Sequence, residues 1–242
     1  MGEAALGGMA VYLALDHLVL PRRGLDELLD AAQTAGYAGL TLPSGLLAEP
    51  AARSRGGRLA AQLADRGLRL AAVEVVLPAD GGDGWKAGAA GVLPLVRALA
   101  AFGVGGGLVL VRPAAAVPTG ALAALAAAVA AAQLKLVLAA QDMAPAAARE
   151  FAQAAGPGVG LAATPEAWLG VDLAPLAGVP LLAWAPSADA GEAPALGWLR
   201  ALHALGYDGA LVVGGAGPEP GTADRAPAQA LLETARRRGF AR

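Results

Sequence analysis

One unit recurs along this 242-residue chain: an amphipathic helical stretch closes on a glycine, and an apolar run of Val, Leu and Ala begins a few residues later. Leu25, Leu28, Leu29 and Ala32 share one helical face and lead through Gly36 to Gly39-Leu40-Thr41-Leu42. Leu59 and Leu63 lead through Gly67 to the run from Leu68 to Val76. Val92, Leu95, Val96, Leu99 and Phe102 precede Gly103 and then Leu108 to Val111. Leu199, Leu202 and Leu205 precede Gly206 and then Ala210 to Val213. Glycine suits the helix end because the chain commonly turns left-handed there, where a Cβ is strained. The runs that follow are continuously apolar, as parallel strands covered on both faces must be. Helix and strand alternating with short links predict parallel βα units.

Eight such strands can be placed: Val11–Leu15, Gly39–Leu42, Leu68–Val75, Leu108–Arg112, Leu134–Ala139, Val159–Ala163, Leu181–Ala185 and Ala210–Val213. Eight parallel strands in a chain of this length predict a closed (β/α)8 TIM barrel of the α/β class, with residues 1–242 as one domain. An internal echo supports the repeat, since Gly36-Tyr37-Ala38-Gly39 enters the second strand and Gly206-Tyr207-Asp208-Gly209 the eighth. The sixth unit holds only a short Pro-broken segment between Thr164 and Val179, so its helix is reduced. The stretch from Asp80 to Gly84 reads as a loop. An open doubly wound sheet is the other arrangement to weigh. If it bound a dinucleotide, it would need a glycine-rich turn after the first strand, and Asp16 to Gly24 contains none. Gly105-Gly106-Gly107 precedes a strand, the wrong side for a phosphate cradle.

Composition removes several classes of function. Net charge is −2, and arginines cluster only at Arg22–Arg23, Arg53–Arg55–Arg58 and Arg236–Arg237–Arg238, so no basic stripe is present for nucleic acid. The last cluster reads as a solvated helix end, where cations favour the carbonyl terminus. With no cysteine, disulfides, zinc–thiolate sites and cysteine nucleophiles are excluded. The apolar stretch from Ala121 to Ala140 is interrupted by Gln133 and Lys135, and reads as a helix followed by a buried strand rather than a membrane span. The start of the sequence carries Glu3 and no basic segment before an apolar run. A soluble, cytoplasmic protein is expected, without membrane or nucleic-acid partners.

Three segments carry a family resemblance. They are Leu25-Asp26-Glu27-Leu28-Leu29 through Ala35-Gly36-Tyr37-Ala38-Gly39-Leu40, then Val159-Gly160-Leu161-Ala162-Ala163, and Leu202 through Gly206-Tyr207-Asp208-Gly209. Together they resemble the first helix and second strand, the sixth strand, and the last helix and turn of the xylose isomerase-like superfamily of sugar isomerases, epimerases and apurinic endonucleases. The resemblance implies a divalent metal held at the C-terminal ends of the strands. In such proteins a glutamate falls near Thr41, another at Gln141, an aspartate and a histidine at Thr164 and Ala167, a histidine near Trp184 and a glutamate near Gly214. None of those residue types stands at these positions here. A hard cation needs several converging oxygen or imidazole donors. The expectation is a sugar or sugar-phosphate isomerase- or epimerase-like protein without the family's metal site and with no cofactor. The alternative is a non-catalytic barrel that binds a small molecule or a protein partner.

In a TIM barrel the chemistry sits at the C-terminal ends of the strands. The polar residues placed there are Asp16 and His17, Glu74, Arg112, Gln141, Thr164 with Glu166, and Trp184. His17, Glu74 and Arg112 form the sharpest catalytic set: an imidazole and a carboxylate that could exchange protons, and a guanidinium that could hold a carboxylate or phosphate. The competing reading is an ion pair closing the barrel mouth, with His17 capping a loop. Asp16, Gln141, Thr164, Glu166, Trp184, Gly214 and Gly215 are candidate substrate contacts. Gly214-Gly215-Ala216-Gly217 occupies a frequent phosphate position in barrels, although Pro218 and Pro220 remove donors. Trp85 and Lys86 read as a lid or interface loop, and His203 as a surface or packing residue within a helix.

Overall fold

The computed structural model describes residues 11–48, 59–77, 92–97, 99, 108–113, 119–139, 143–214 and 225–238. Eight strands follow the predicted runs closely. They are β1 (Tyr12–Leu15), β2 (Gly39–Pro43), β3 (Arg69–Leu77), β4 (Leu108–Pro113), β5 (Lys135–Ala139), β6 (Gly160–Ala163), β7 (Leu181–Trp184) and β8 (Ala210–Val213). Every neighbouring pair is parallel. The sheet closes on itself through Tyr12↔Ala210 to Leu15↔Val213.

The helices are α1 (Leu25–Thr34), α2 (Ser44–Ala48), α3 (Leu59–Asp65), α4 (residues 92–97), α5 (Thr119–Ala131), α6 (Pro145–Ala155), α7 (Pro165–Trp168), α8 (Glu192–Ala204) and α9 (Arg225–Arg237). The stretch from Ala121 is thus a helix and a strand, as predicted. Among the described residues no helix is long and apolar enough to cross a membrane. The sixth unit is reduced to the four residues of α7 and a 3-10 turn at Ala174–Leu176. Arg236 and Arg237 occupy the last turn of α9, as expected of a cationic helix end.

Strand alternation divides the core into two layers. Leu13, Leu15, Leu40, Leu42, Val109, Val111, Leu136, Leu138, Leu161, Leu211 and Val213 pack outward against Leu28, Leu29, Leu122, Leu199 and other helix residues. The intervening positions fill the inside of the barrel with Ala14, Ala72, Leu110, Val137, Ala162, Leu182, Trp184, Ala210 and Val212. An eight-stranded barrel has an interior just wide enough to be plugged by side chains. Here the many alanines leave the space that Trp184, 2% exposed, occupies from β7. Gly160 is required on the same grounds, because a Cβ there would lie 2.6 Å from the carbonyl oxygen of Pro180.

The helix–glycine–strand echo also has a packing origin. Tyr207 is buried, and its hydroxyl donates to the Ala210 carbonyl and accepts from the Ala183 amide at 3.3 Å, tying β8 to β7. A Cβ on Gly209 would sit 2.8 Å from that hydroxyl, so the Tyr-Asp-Gly order is a steric match. Burial pushes the phenol well above its ordinary range, which keeps it a donor. Replacing Tyr207 with Phe should therefore cost about 1–3 kcal/mol, since the buried Ala183 amide loses its acceptor. Urea unfolding measures this directly, and an unchanged midpoint would contradict it.

Candidate functional site at the barrel mouth

Five buried polar side chains meet at the C-terminal end of the barrel: Asp16, His17, Thr41, Glu74 and the indole of Trp184. Asp16 follows β1, and its amide bonds to the Val213 carbonyl, so its position is fixed by closure of the barrel. It also starts the 3-10 turn His17–Val19, whose Leu18 amide donates to Asp16 Oδ1 at 3.1 Å. Two further donors reach the same carboxylate. Thr41 Oγ1 lies 3.2 Å from Oδ1, and Trp184 Nε1 donates to Oδ2 at 3.0 Å from β7, two strands round the barrel.

His17 is held from both sides. Its amide donates to Thr41 Oγ1 at 3.0 Å, and its Nδ1 lies 2.9 Å from the same oxygen and 3.5 Å from Asp16 Oδ1. Its Nε2 faces Glu74 Oε2 at 3.8 Å, an ion pair when the ring is protonated. The result is a continuous polar row, Trp184–Asp16–Thr41–His17–Glu74, spanning β7, β1, β2 and β3.

Glu74 faces this row because of a register shift. Leu40 pairs with Leu70 but Thr41 pairs with Ala72, so Ala71 is an extra residue in β3. A one-residue slip exchanges the two faces of a strand. Without it Val73 and Val75 would share the inward face of Thr41, and Glu74 would lie against the helices. Leu110, an interior residue of β4, pairs with Glu74 in turn.

Gly214 closes the site from below. A Cβ there would lie 2.5 Å from Asp16 Cβ and 2.7 Å from Val19 Cγ2, so its closest contacts are with the Asp16 turn. Gly214→Ala should push Asp16 out of reach of Trp184 and cost about 1–3 kcal/mol by overpacking. The check is a thermal melt together with the Trp184 indole proton shift, which should move in the variant. An unshifted indole signal in a protein of unchanged stability would count against this packing role.

The remaining candidates divide. Thr164 is buried at the end of β6, preceding α7, whereas Glu166 is exposed on that helix. Arg112 belongs to β4, at the register position opposite Val76 and two residues beyond Leu110. Gln141, Gly215 and the rest of the glycine loop, Trp85 and Lys86 lie outside the described residues. His203 is half-buried in the last turn of α8, and its Nδ1 is buried without a hydrogen-bond partner in the structure. Thr41, read from sequence only as a place where a glutamate is missing, is the centre of the row. The signal was a lone hydroxyl flanked by Leu40 and Leu42 within an apolar strand.

As to metals, the ligand atoms of Asp16, His17 and Glu74 lie within 4.8 Å of one another, so the three are a group that could hold a cation. Asp16 and His17 follow β1 and Glu74 is on β3, not at the positions where the resemblance places its ligands. Two surface clefts lie elsewhere. One of about 260 Å³ is lined by Pro186, Ser187, Glu192, Leu231 and Thr234, and one of about 710 Å³ flanks Val171 and Pro194 beside the reduced sixth unit.

A closed, all-parallel eight-stranded barrel with a polar row at its C-terminal mouth defines the architectural class of TIM-barrel proteins. Comparison with solved structures finds the same fold in several xylose isomerase-like TIM-barrel proteins. A xylose isomerase domain protein from Alicyclobacillus acidocaldarius superimposes with a TM-score of 0.71 at 18% identity, covering 96% of this chain and 99% of the other. A xylose isomerase domain protein from Planctomyces limnophilus gives 0.71 at 14%, with 96% and 98% covered. The D-psicose 3-epimerase of Clostridium cellulolyticum H10, solved with D-tagatose, gives 0.70 at 15%, with 93% and 98% covered. No protein-family model matches the sequence, and no curated protein matches it significantly.

Proposed function

We propose that this barrel is a sugar isomerase- or epimerase-like protein that moves protons on a small hydroxy-carbonyl ligand without a resident metal ion. The observation that carries the reading is the pairing of His17 Nε2 with Glu74 Oε2 at 3.8 Å, on a ring whose other nitrogen is anchored by Thr41. An imidazole and a carboxylate side by side can take a proton from a carbon next to a carbonyl and return it elsewhere. Arg112, placed on the adjacent strand, is assigned to a ligand carboxylate or phosphate, and Thr164 to ligand binding on the far side of the mouth. The fold shared with sugar epimerases supports the substrate class. A cytoplasmic setting fits such chemistry.

The donor set supports the metal-free part of the reading. Asp16, the carboxylate at the centre of the group, already accepts from Leu18, Thr41 and Trp184, and a cation would have to displace those donors. Chelator-treated protein should show no rise in Tm on adding Mn, Mg or Zn ions. A site saturated a hundredfold over its Kd would add about 2.7 kcal/mol, so a saturable rise would contradict the reading.

A second reading is a non-catalytic barrel that binds a ligand or partner. What favours it is that the row is bonded within itself and nearly closed to water, with His17 8%, Glu74 6% and Asp16 1% exposed. A thermal-shift screen of sugars and sugar phosphates, repeated with His17→Ala and Arg112→Ala, separates the two. The proton-transfer reading predicts a stabilising ligand whose effect falls in both variants. Equal stabilisation of wild type and both variants would move the binding site elsewhere.

A further inference from the structure

We infer that Asp16 and Thr41 lock His17 in the tautomer that keeps its proton on Nδ1, leaving Nε2, beside Glu74, as the nitrogen that gains and loses a proton. The inference deepens the proton-transfer reading and rests on it for its catalytic meaning, but the tautomer itself is a property of the folded chain.

The argument is an accounting of one hydrogen. Thr41 has a single hydroxyl proton and three polar neighbours: the His17 amide at 3.0 Å, His17 Nδ1 at 2.9 Å and Asp16 Oδ1 at 3.2 Å. The amide can only donate and the carboxylate can only accept, so the proton goes either to Nδ1 or to Asp16. If it goes to Nδ1, the Thr41 and Asp16 oxygens face each other at 3.2 Å as two acceptors. Nδ1 and Asp16 Oδ1 then also meet at 3.5 Å with no proton between them. If it goes to Asp16, the Nδ1 proton points to Thr41 Oγ1 and lies close to Asp16, and every contact of Thr41 joins a donor to an acceptor; the bare Nε2 then faces Glu74 Oε2 only at 3.8 Å, beyond hydrogen-bond distance. In a buried site unpaired acceptors are costly, so the second arrangement prevails.

Asp16 cannot turn away to relieve the first arrangement. The Leu18 amide and the Trp184 indole hold its two oxygens, and Gly214 packs against its Cβ. Which ring nitrogen of a histidine carries the proton is set by the bond the other one makes. Asp16, Thr41 and Trp184 are thus positioning residues for His17, acting through its Nδ1. Thr41 stands where the resemblance places a metal-binding glutamate. In this chain the same spot serves a hydroxyl relay between a carboxylate and an imidazole.

The test is the ¹⁵N spectrum of the histidine rings in the intact protein. The chain contains only His17 and His203, and His17→Gln assigns the signals. At a pH where the His17 ring is neutral, the inference predicts a pyrrole-type shift for Nδ1 and a pyridine-type shift for Nε2. The opposite pattern would overturn it. Thr41→Val should move both shifts toward each other, and Thr41→Ser should restore them. A Thr41→Val spectrum identical to wild type would remove Thr41 from the relay. Should Thr41→Val fail to fold, the wild-type pattern alone decides the tautomer. An Nδ1 proton in a protein that exchanges no substrate hydrogen would sustain this inference and sink the proposed activity. Exchange activity with the proton on Nε2 would do the reverse.

Discussion

Asp16→Ala is expected to lower stability by about 4 kcal/mol, the largest effect of any single substitution at the mouth. Three donors converge on this carboxylate, and all lose their acceptor at once: the Leu18 amide, the Thr41 hydroxyl and the Trp184 indole. The site is 1% exposed, so water cannot readily replace the lost bonds, and each buried unsatisfied donor costs about 1–3 kcal/mol. The gap left by the carboxylate lowers the figure by letting Thr41 rotate toward His17. Guanidinium unfolding measures the global change through its midpoint, and the Trp184 indole proton shift reports the local one. A loss under about 1 kcal/mol would mean that the row is not a structural anchor. Thr41→Val breaks the contacts to the His17 amide, His17 Nδ1 and Asp16 but leaves the Leu18 and Trp184 bonds to Asp16 in place, and should cost less.

The second large effect is kinetic. His17→Gln should reduce proton transfer by about 10²–10⁴-fold, the usual contribution of a positioned acid–base group. Folding should survive it, since the backbone amide of residue 17 still donates to Thr41 and the Thr41 proton still reaches Asp16. The loss should fall on kcat, with KM little changed, because ligand contacts from other strands remain. The measurement is steady-state turnover of whichever sugar or sugar phosphate stabilises the wild-type chain. Turnover within threefold of wild type would remove His17 from the chemistry. Glu74→Gln provides the partner test, with a comparable fall expected if the two groups act as one unit.

The two effects separate what the row does for the fold from what it offers a ligand. Trp184 and Asp16 bridge β7 to the end of β1, past the intervening β8, in a barrel whose interior is otherwise lined largely by alanine, leucine and valine. A polar bridge at that point is tolerable only because each member has a partner. His17 and Glu74 lie at the outer end of the same row, nearer solvent than Asp16. All of them are buried, and the order from Asp16 outward puts the proposed acid–base pair at the end nearer the surface.

Much of this was legible in the sequence, for identifiable reasons. The eight strands announce themselves because a parallel barrel buries both faces, and the predicted runs match the observed ones to within two residues, with Ala210–Val213 matching fully. The reduced sixth unit was legible from Pro165, Pro175 and Pro180, which leave too little uninterrupted chain for a full helix. His17, Glu74 and Asp16 were found by their place at strand ends. The bonds that organise them were not. Trp184 meets Asp16 across 168 residues of chain, a contact set by barrel closure and not by any local pattern. The register shift that turns Glu74 inward makes Ala71 an extra residue between Leu70 and Ala72, in a run with no polar alternation to reveal it. Gly214 was weighed as part of a phosphate loop because phosphate sites in barrels often use that position, and its packing against the Asp16 turn had no local signal in the sequence.

The most direct measurement of the central claim is hydrogen exchange at carbon. Chelator-treated protein is incubated in D₂O with hydroxy-ketoses, hydroxy-aldoses and their phosphates, and deuterium at the carbon beside the carbonyl is followed by NMR. The account predicts incorporation into at least one of them by the metal-free protein, lost in His17→Gln. No incorporation into any of them, or exchange that appears only after a divalent cation is added, would contradict a metal-free proton-transfer site built on His17 and Glu74.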